Sequence, residues 1–196
     1  AAMHVGIPVA PVSPAYALLS QDHQKLSQIA AALQPGAVYV SDVGKYTPAL
    51  QAIGMTALDM ATVRRGVPGA DVESAHRRVG PDTVAKILFT SGSTGSPKGV
   101  INTQRMLTVN QLQSLQVWPF LADTPPVLLD WLPWNHTFGG NYNLHMVLSN
   151  GGTLYIDAGK PVPGLFETSL NNLRDVEPTV YCNVPRGFDL LLPQLE

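Results

Sequence analysis

The ten residues Thr90-Ser91-Gly92-Ser93-Thr94-Gly95-Ser96-Pro97-Lys98-Gly99 constrain this chain more than any other stretch. They carry no aliphatic side chain and follow the apolar run Ile87-Leu88-Phe89, which reads as a buried strand. Glycines let the backbone turn tightly and approach a ligand closely. The hydroxyls of Thr90, Ser91, Ser93 and Thr94 add hydrogen-bond donors, and Lys98 adds a positive charge. Backbone N–H groups, hydroxyls and one ammonium gathered on a turn make a nest for phosphate oxygens. A Gly/Ser loop is often a plain connector; Lys after Pro, with Gly after Lys, sets this one apart. Other signature loops fit badly. A Walker A loop needs a Gly-Lys pair followed by Ser or Thr, and the dinucleotide pattern G-x-G-x-x-G is absent. Ser93 sits in G-S-T-G, so the nucleophile elbow of serine hydrolases is absent too.

The surrounding pattern alternates strands and helices. Ile7–Ala10, Ala37–Val40 and Met55–Leu58 read as short strands. Between them, Leu26, Ile29, Ala30 and Leu33 form a helical stripe that Ser20 or Asp22 can cap, and a second helix is expected from Thr47 to Ile53. Such spacing points to βαβ units and a parallel sheet. Ala61 to Asp82 has little apolar periodicity and reads as a surface excursion. Val100-Ile101 predicts a strand after the loop, and a helix runs from Gln104 to about Val117 behind Thr103. Val127–Leu129, Thr153–Ile156 and Thr179–Tyr181 read as later strands; helices are expected over Tyr142–Leu148 and on the stripe Phe166, Leu170, Leu173.

Two further segments bear on function: Leu132-Pro133-Trp134-Asn135-His136-Thr137-Phe138-Gly139-Gly140 and Ala10-Pro11-Val12-Ser13-Pro14-Ala15-Tyr16. With the loop, and in this order along the chain, they resemble three landmarks of the adenylate-forming superfamily. That superfamily includes acyl-CoA synthetases, adenylation domains of peptide synthetases and luciferases. The wording from Trp134 to Asp157 most resembles bacterial feruloyl-CoA synthetases. The resemblance implies an α/β fold, a mainly parallel sheet flanked by helices, within the large N-terminal domain of such an enzyme. Residues 1–196 are then expected to be a single partial domain, without the adenine loop and the C-terminal lysine domain.

The implied chemistry joins a carboxylate to the α-phosphate of ATP, then transfers the acyl group to CoA. By the resemblance, Thr90, Ser91, Gly92, Ser93, Thr94, Gly95 and Lys98 bind the β- and γ-phosphates. Lys98 and His136 are the catalytic candidates, with His136 bordering the acyl carboxylate. Trp134, Phe138, Tyr142, Asn183 and Val184 would wall the acyl site, as would Tyr181. Asn141 and Asn143 could meet a phenol or methoxy group. Magnesium is expected to ride on the phosphates, with no protein-borne metal site, since His4, His23, His76 and His145 lack ligand spacing. The parent would be an acid–thiol ligase acting on a feruloyl or related aryl acid, and this fragment alone would be inactive. Alternatives are a non-catalytic nucleotide- or partner-binding module, an adenylating enzyme with a carrier-protein acceptor, or a Ser/Lys amidase.

Composition narrows the partners. A net charge of −2 with scattered basic residues gives no nucleic-acid or membrane-surface patch. The lone Cys182 precludes an internal disulfide and, with no long apolar run, suggests a cytoplasmic protein; the resemblance implies a small-molecule carboxylic acid as partner.

Overall fold

The structure is a computed structural model that describes residues 1–67, 69–90 and 95–194. Two compact units follow one another in the chain, Ala1–Gln104 and Arg105–Glu196.

In the first unit, α1 (Ala15–Leu18) precedes α2 (Gln24–Leu33). Ser20 Oγ accepts the His23 N–H and Asp22 Oδ1 accepts the Gln24 N–H, both at 3.1 Å, so both expected capping residues hold the helix entrance. Ile29 of the expected stripe is buried. α3 (Val43–Ala52) begins a turn earlier than its apolar pattern suggests, because Asp42 accepts the Lys45 N–H at 3.1 Å and caps it there. The stretch expected to be irregular holds two short helices, α4 (Met60–Arg65) and α5 (Ala70–Arg77). Asp59 accepts the Ala61 N–H at 2.9 Å, and Arg64 and Arg65 lie in the last turn of α4, facing the negative end of its dipole. Neither helix buries a residue, so no apolar stripe marks them in the sequence.

β1 (Val84–Thr90) and β2 (Lys98–Thr103) pair antiparallel, with register running from Val84 opposite Thr103 to Thr90 opposite Lys98. The connection over residues 91–97 is too short for the crossover that parallel pairing requires. The three early strand segments contribute only isolated parallel bridges, Val9 with Lys86 and Val38 with Ala57. Pro8 and Pro11 flank Val9 and have no N–H to extend its ladder.

The second unit takes up α6 (Gln104–Val117) after its first residue. β3 (Val127–Asp130) pairs in parallel with β4 (Thr153–Ile156) from Val127–Thr153 to Asp130–Ile156. The carbonyls of Pro126 and Asp130 accept from the β4 side, while that of Val127 accepts from Val180, which bridges Leu128 in parallel on the other edge. Between the strands, a π-helix over Phe138–Asn143 runs into α7 (Leu144–Asn150), which ends at Gly151 with φ of 64°. After β4 come α8 (Phe166–Val176) and α9 (Pro185–Leu191). Leu121, Leu128, Met146 and Val147 form the buried cluster, with Leu115, Trp118, Tyr142, Leu154 and Val180 against it. Asp157, just past β4, accepts from Ser169 Oγ at 2.6 Å and Asn172 Nδ2 at 2.7 Å, tying the strand end to α8.

The described residues therefore form mixed helix and strand, as expected, but two narrow sheets stand where one mainly parallel sheet was expected. Among the described residues no helix is long and apolar enough to cross a membrane.

Met146→Ala and Leu128→Ala should each lower the unfolding free energy by about 2–5 kcal/mol in a urea titration, since both side chains are fully enclosed. Val100→Ala, on the exposed face of β2, should change it by less than about 0.5 kcal/mol.

Candidate active-site elements

The loop residues Ser91, Gly92, Ser93 and Thr94 lie outside the described residues. Its two ends do not. Thr90 and Lys98 are the terminal register pair of the β1–β2 hairpin, so the hydroxyl-rich segment leaves and re-enters the sheet at one place. Both residues are exposed. Gly95 takes a φ of 83°, a left-handed conformation that a side chain would strain, and among the described residues no atom beyond its chain neighbours stands within 4 Å of where its Cβ would be. Gly99 is glycine for another reason. A methyl there would press on Ile87 Cγ2 at 3.1 Å and on the Phe89 ring at 3.3 Å, across the strand pair.

In the second unit, the histidine segment leaves the end of β3. Asp130 Oδ1 accepts the Leu132 N–H at 2.9 Å, the His136 N–H goes to the Pro133 carbonyl at 3.0 Å, and the Gly140 N–H goes to the His136 carbonyl at 2.9 Å. The two glycines that follow have a steric cause. A methyl on Gly139 would meet the Leu132 carbonyl at 2.7 Å, and one on Gly140 would run into the Trp134 carbonyl. Only bare backbone lets the π-helix lie on the turn that carries His136. The His136 ring is exposed, and its Nδ1 accepts the Phe138 N–H at 3.3 Å. That acceptor role places the neutral ring's proton on Nε2, leaving an N–H to donate.

The expected acyl-wall residues of this unit fall into two groups. Phe138 and Tyr142 lie with ring centroids 6.0 Å apart, and Tyr142 also meets Trp118 edge-on at 6.2 Å, so it belongs partly to the core. Asn183 is buried, accepts the Trp131 Nε1–H at 3.1 Å and donates to the Tyr181 hydroxyl at 2.7 Å. A methyl on Gly187 would run into the Asn183 amide. Val184, half-buried, donates its N–H to Asn183 Oδ1 at 2.8 Å and precedes α9. Trp134 is exposed. Asn141 is buried and donates to Thr137 Oγ1 at 3.2 Å.

A charged residue that no motif singles out stands among these groups. Asp130 is only 4% exposed, and burial pushes its carboxyl above the ordinary value; the Leu132 N–H and the nearby Asn143 amide oppose that, and Asp157 adds to it. Burial also raises the Tyr142 and Tyr181 hydroxyls, and pushes the Cys182 thiol up to about 11 with a further contribution from Asp130. The only signal in the sequence was a single acid ending the apolar run Val127-Leu128-Leu129. Among the described residues no group of three or more His, Cys, Asp or Glu could hold a metal ion.

Comparison with known proteins gives these features a setting. The profile of the AMP-binding enzyme family matches residues 1–196. The chain is 34% identical over 113 residues to a carboxylic acid reductase of Mycobacterium tuberculosis, a match covering 58% of this chain and 9% of that protein. It is 31% identical over 111 residues to long chain acyl-CoA synthetase 2 of Arabidopsis thaliana, covering 55% of this chain and 16% of that one. Among solved structures, ATP-bound MatB from Rhodopseudomonas palustris superposes with a TM-score of 0.61 at 25% identity, over 88% of this chain and 34% of that one. A malonyl-CoA ligase with methylmalonyl-CoA and AMP bound gives 0.65 at 24% identity, over 89% and 34%. The aligned stretch is thus about a tenth to a sixth of these curated relatives and about a third of these structures.

Two outcomes follow from the packing. Gly140→Ala should displace the His136 turn and lower stability by about 2 kcal/mol or more, read by urea unfolding. Asp130 sets a pH dependence. Its folded-state carboxyl titrates above the ordinary 3.8, so the unfolded chain ionises first and stability falls as pH rises between the two values. Asp130→Asn, which cannot ionise, should therefore gain in melting temperature over the wild type on going from pH 3 to pH 7.

Proposed function

The chain belongs to the AMP-binding enzyme family, and from that premise we propose that it carries the phosphate-binding and acyl-orienting elements of an ATP-dependent carboxylic acid ligase. The observation that carries this reading is the pairing of Thr90 with Lys98 across the two ends of the Gly/Ser/Thr loop, which puts a lysine at the mouth of a segment rich in N–H and hydroxyl donors. That donor set suits a polyphosphate.

ATP supplies the electrophilic α-phosphorus and the pyrophosphate leaving group. The carboxylate substrate is already a nucleophile, so the chain's own residues have no proton to abstract. Their work is positioning and charge neutralisation. Lys98, with Thr90, Ser91, Gly92, Ser93, Thr94 and Gly95, would hold the β- and γ-phosphates, each charge-assisted bond contributing roughly 1.5–3 kcal/mol. Magnesium would be carried on those phosphate oxygens. His136, with its Nδ1 engaged by Phe138, would donate from Nε2 to a carboxylate oxygen and fix its direction.

The acyl group would lie along Phe138 and Tyr142, with Trp134, Asn183 and Val184 as further walls. Aromatic walls favour a flat acid, and the wording from Trp134 to Asp157 supports a feruloyl or related aryl acid; the curated relatives are named for carboxylic acids and long-chain acids. CoA is the proposed acceptor thiol. Residues 1–196 are read as part of one AMP-binding domain, since the family profile runs through them unbroken. A cytoplasmic setting is consistent with the single Cys182, held as a half-buried thiol.

The test is ATP–pyrophosphate exchange by the protein that carries this chain, with aryl and fatty acids offered in turn. Lys98→Ala should slow exchange by about 10–100-fold, the loss of one charge-assisted bond in the transition state. His136→Ala should lower kcat with little change in the KM for ATP. Exchange at the wild-type rate in Lys98→Ala would remove the loop from the reaction.

A further inference from the structure

Three buried polar atoms near the end of β3 have no hydrogen-bond partner: Asp130 Oδ2 and both amide atoms of Asn143. Asp130 is 4% exposed and Asn143 only 1%. Leaving such groups unsatisfied costs roughly 1–3 kcal/mol each. Each residue sits at one end of the same segment. Asp130 holds the Leu132 N–H where the histidine turn begins. Asn143 is the last residue of the π-helix in which that turn ends, and its amide stands beside the Asp130 carboxyl, just outside hydrogen-bond geometry but near enough to favour its charged form. π-helical turns are uncommon and concentrate at functional sites.

Burial and Asp157 favour the acid form of Asp130, while the Leu132 N–H and the Asn143 amide favour the carboxylate. Asp157, beyond β4, repels a second negative charge, and Tyr181 and Cys182, beyond the Val180 bridge, are themselves held neutral by burial. An amide carries both a donor and an acceptor, so Asn143 can pair with the free Asp130 oxygen in either protonation state.

We propose that Asp130 and Asn143 are positioning residues, a carboxyl–amide clamp in which a hydrogen bond between Asp130 Oδ2 and the Asn143 amide locks segment 132–140, with His136 on it, in its working orientation. The role given to His136 rests on the proposed function; the clamp itself does not. An Asn at 130 reproduces the clamp, since its oxygen can take the Leu132 N–H and its N–H₂ can donate to Asn143 Oδ1. An Ala cannot.

Hydrogen exchange measured on the protein that carries this chain tests the clamp without turnover. In Asp130→Ala and in Asn143→Leu, the amides of Leu132, His136 and Gly140 should exchange at least about tenfold faster, while those of β1 keep their wild-type rates. Asp130→Asn should stay within about twofold of wild type. Equal loosening by Asn and Ala at 130, or none in Asn143→Leu, would overturn the clamp. If Asp130→Ala does not fold, the contrast between Asn143→Leu and Asp130→Asn decides in its place: loosening in the first alone supports the clamp, and equal rates in the two overturn it. In pyrophosphate exchange, Asn143→Leu should lower kcat about tenfold at unchanged KM for ATP, while Asp130→Asn should keep the wild-type kcat. Wild-type turnover in His136→Ala would instead defeat the His136 role and leave the exchange rates to judge the clamp.

Discussion

The second unit depends on how one buried carboxyl is satisfied. Asp130 ends a parallel strand with neighbours on both edges, and its Oδ1 takes the first N–H of the histidine turn. From there the chain has a single way back. It folds over Pro133, presents His136, and returns as a π-helix whose two glycines rest on the carbonyls of Leu132 and Trp134. An acid in this place carries a desolvation cost, which Asp157 increases and which the Leu132 N–H and the Asn143 amide partly offset.

The same strand end collects the other polar groups of the unit. Asp157 binds β4 to α8, and Asn183 joins Trp131, Tyr181 and the entrance of α9. Sites at the carboxyl ends of parallel strands are the rule in α/β sheets, because the chain leaving each strand must turn there. Here the turning segments also bring aromatic surface, Phe138 with Tyr142 and Tyr181 with Phe188. The polar cluster holds the rings at defined angles, and the apolar core below, Leu128 and Met146, holds the strand.

The first unit solves a different problem with the same economy of parts. The small polar loop is anchored to the sheet at its two ends. Thr90 and Lys98 face each other in the last register pair, and Gly99 lets Ile87 and Phe89 close over the strand below it. The ammonium is thereby tied to the sheet through its own backbone.

How much was legible in the sequence follows from the range of each interaction. Capping and stripes are local, and α2, α6 and α8 were readable from Ser20, Asp22, Thr103 and the Phe166–Leu170–Leu173 spacing. The loop Thr90 to Gly99 and the His136 motif were readable for the same reason: their chemistry is written in consecutive residues. α4 and α5 escaped because neither buries a residue, so no apolar stripe marks them. What only the tertiary structure decided was pairing and burial. Whether Val9 and Val38 extend into ladders or stop at single bridges depends on partners tens of residues away. Asp130 reads as an ordinary acid until Asn143, Asp157 and Cys182 are folded around it and water is excluded, and electrostatics of that kind exist only after the chain has closed.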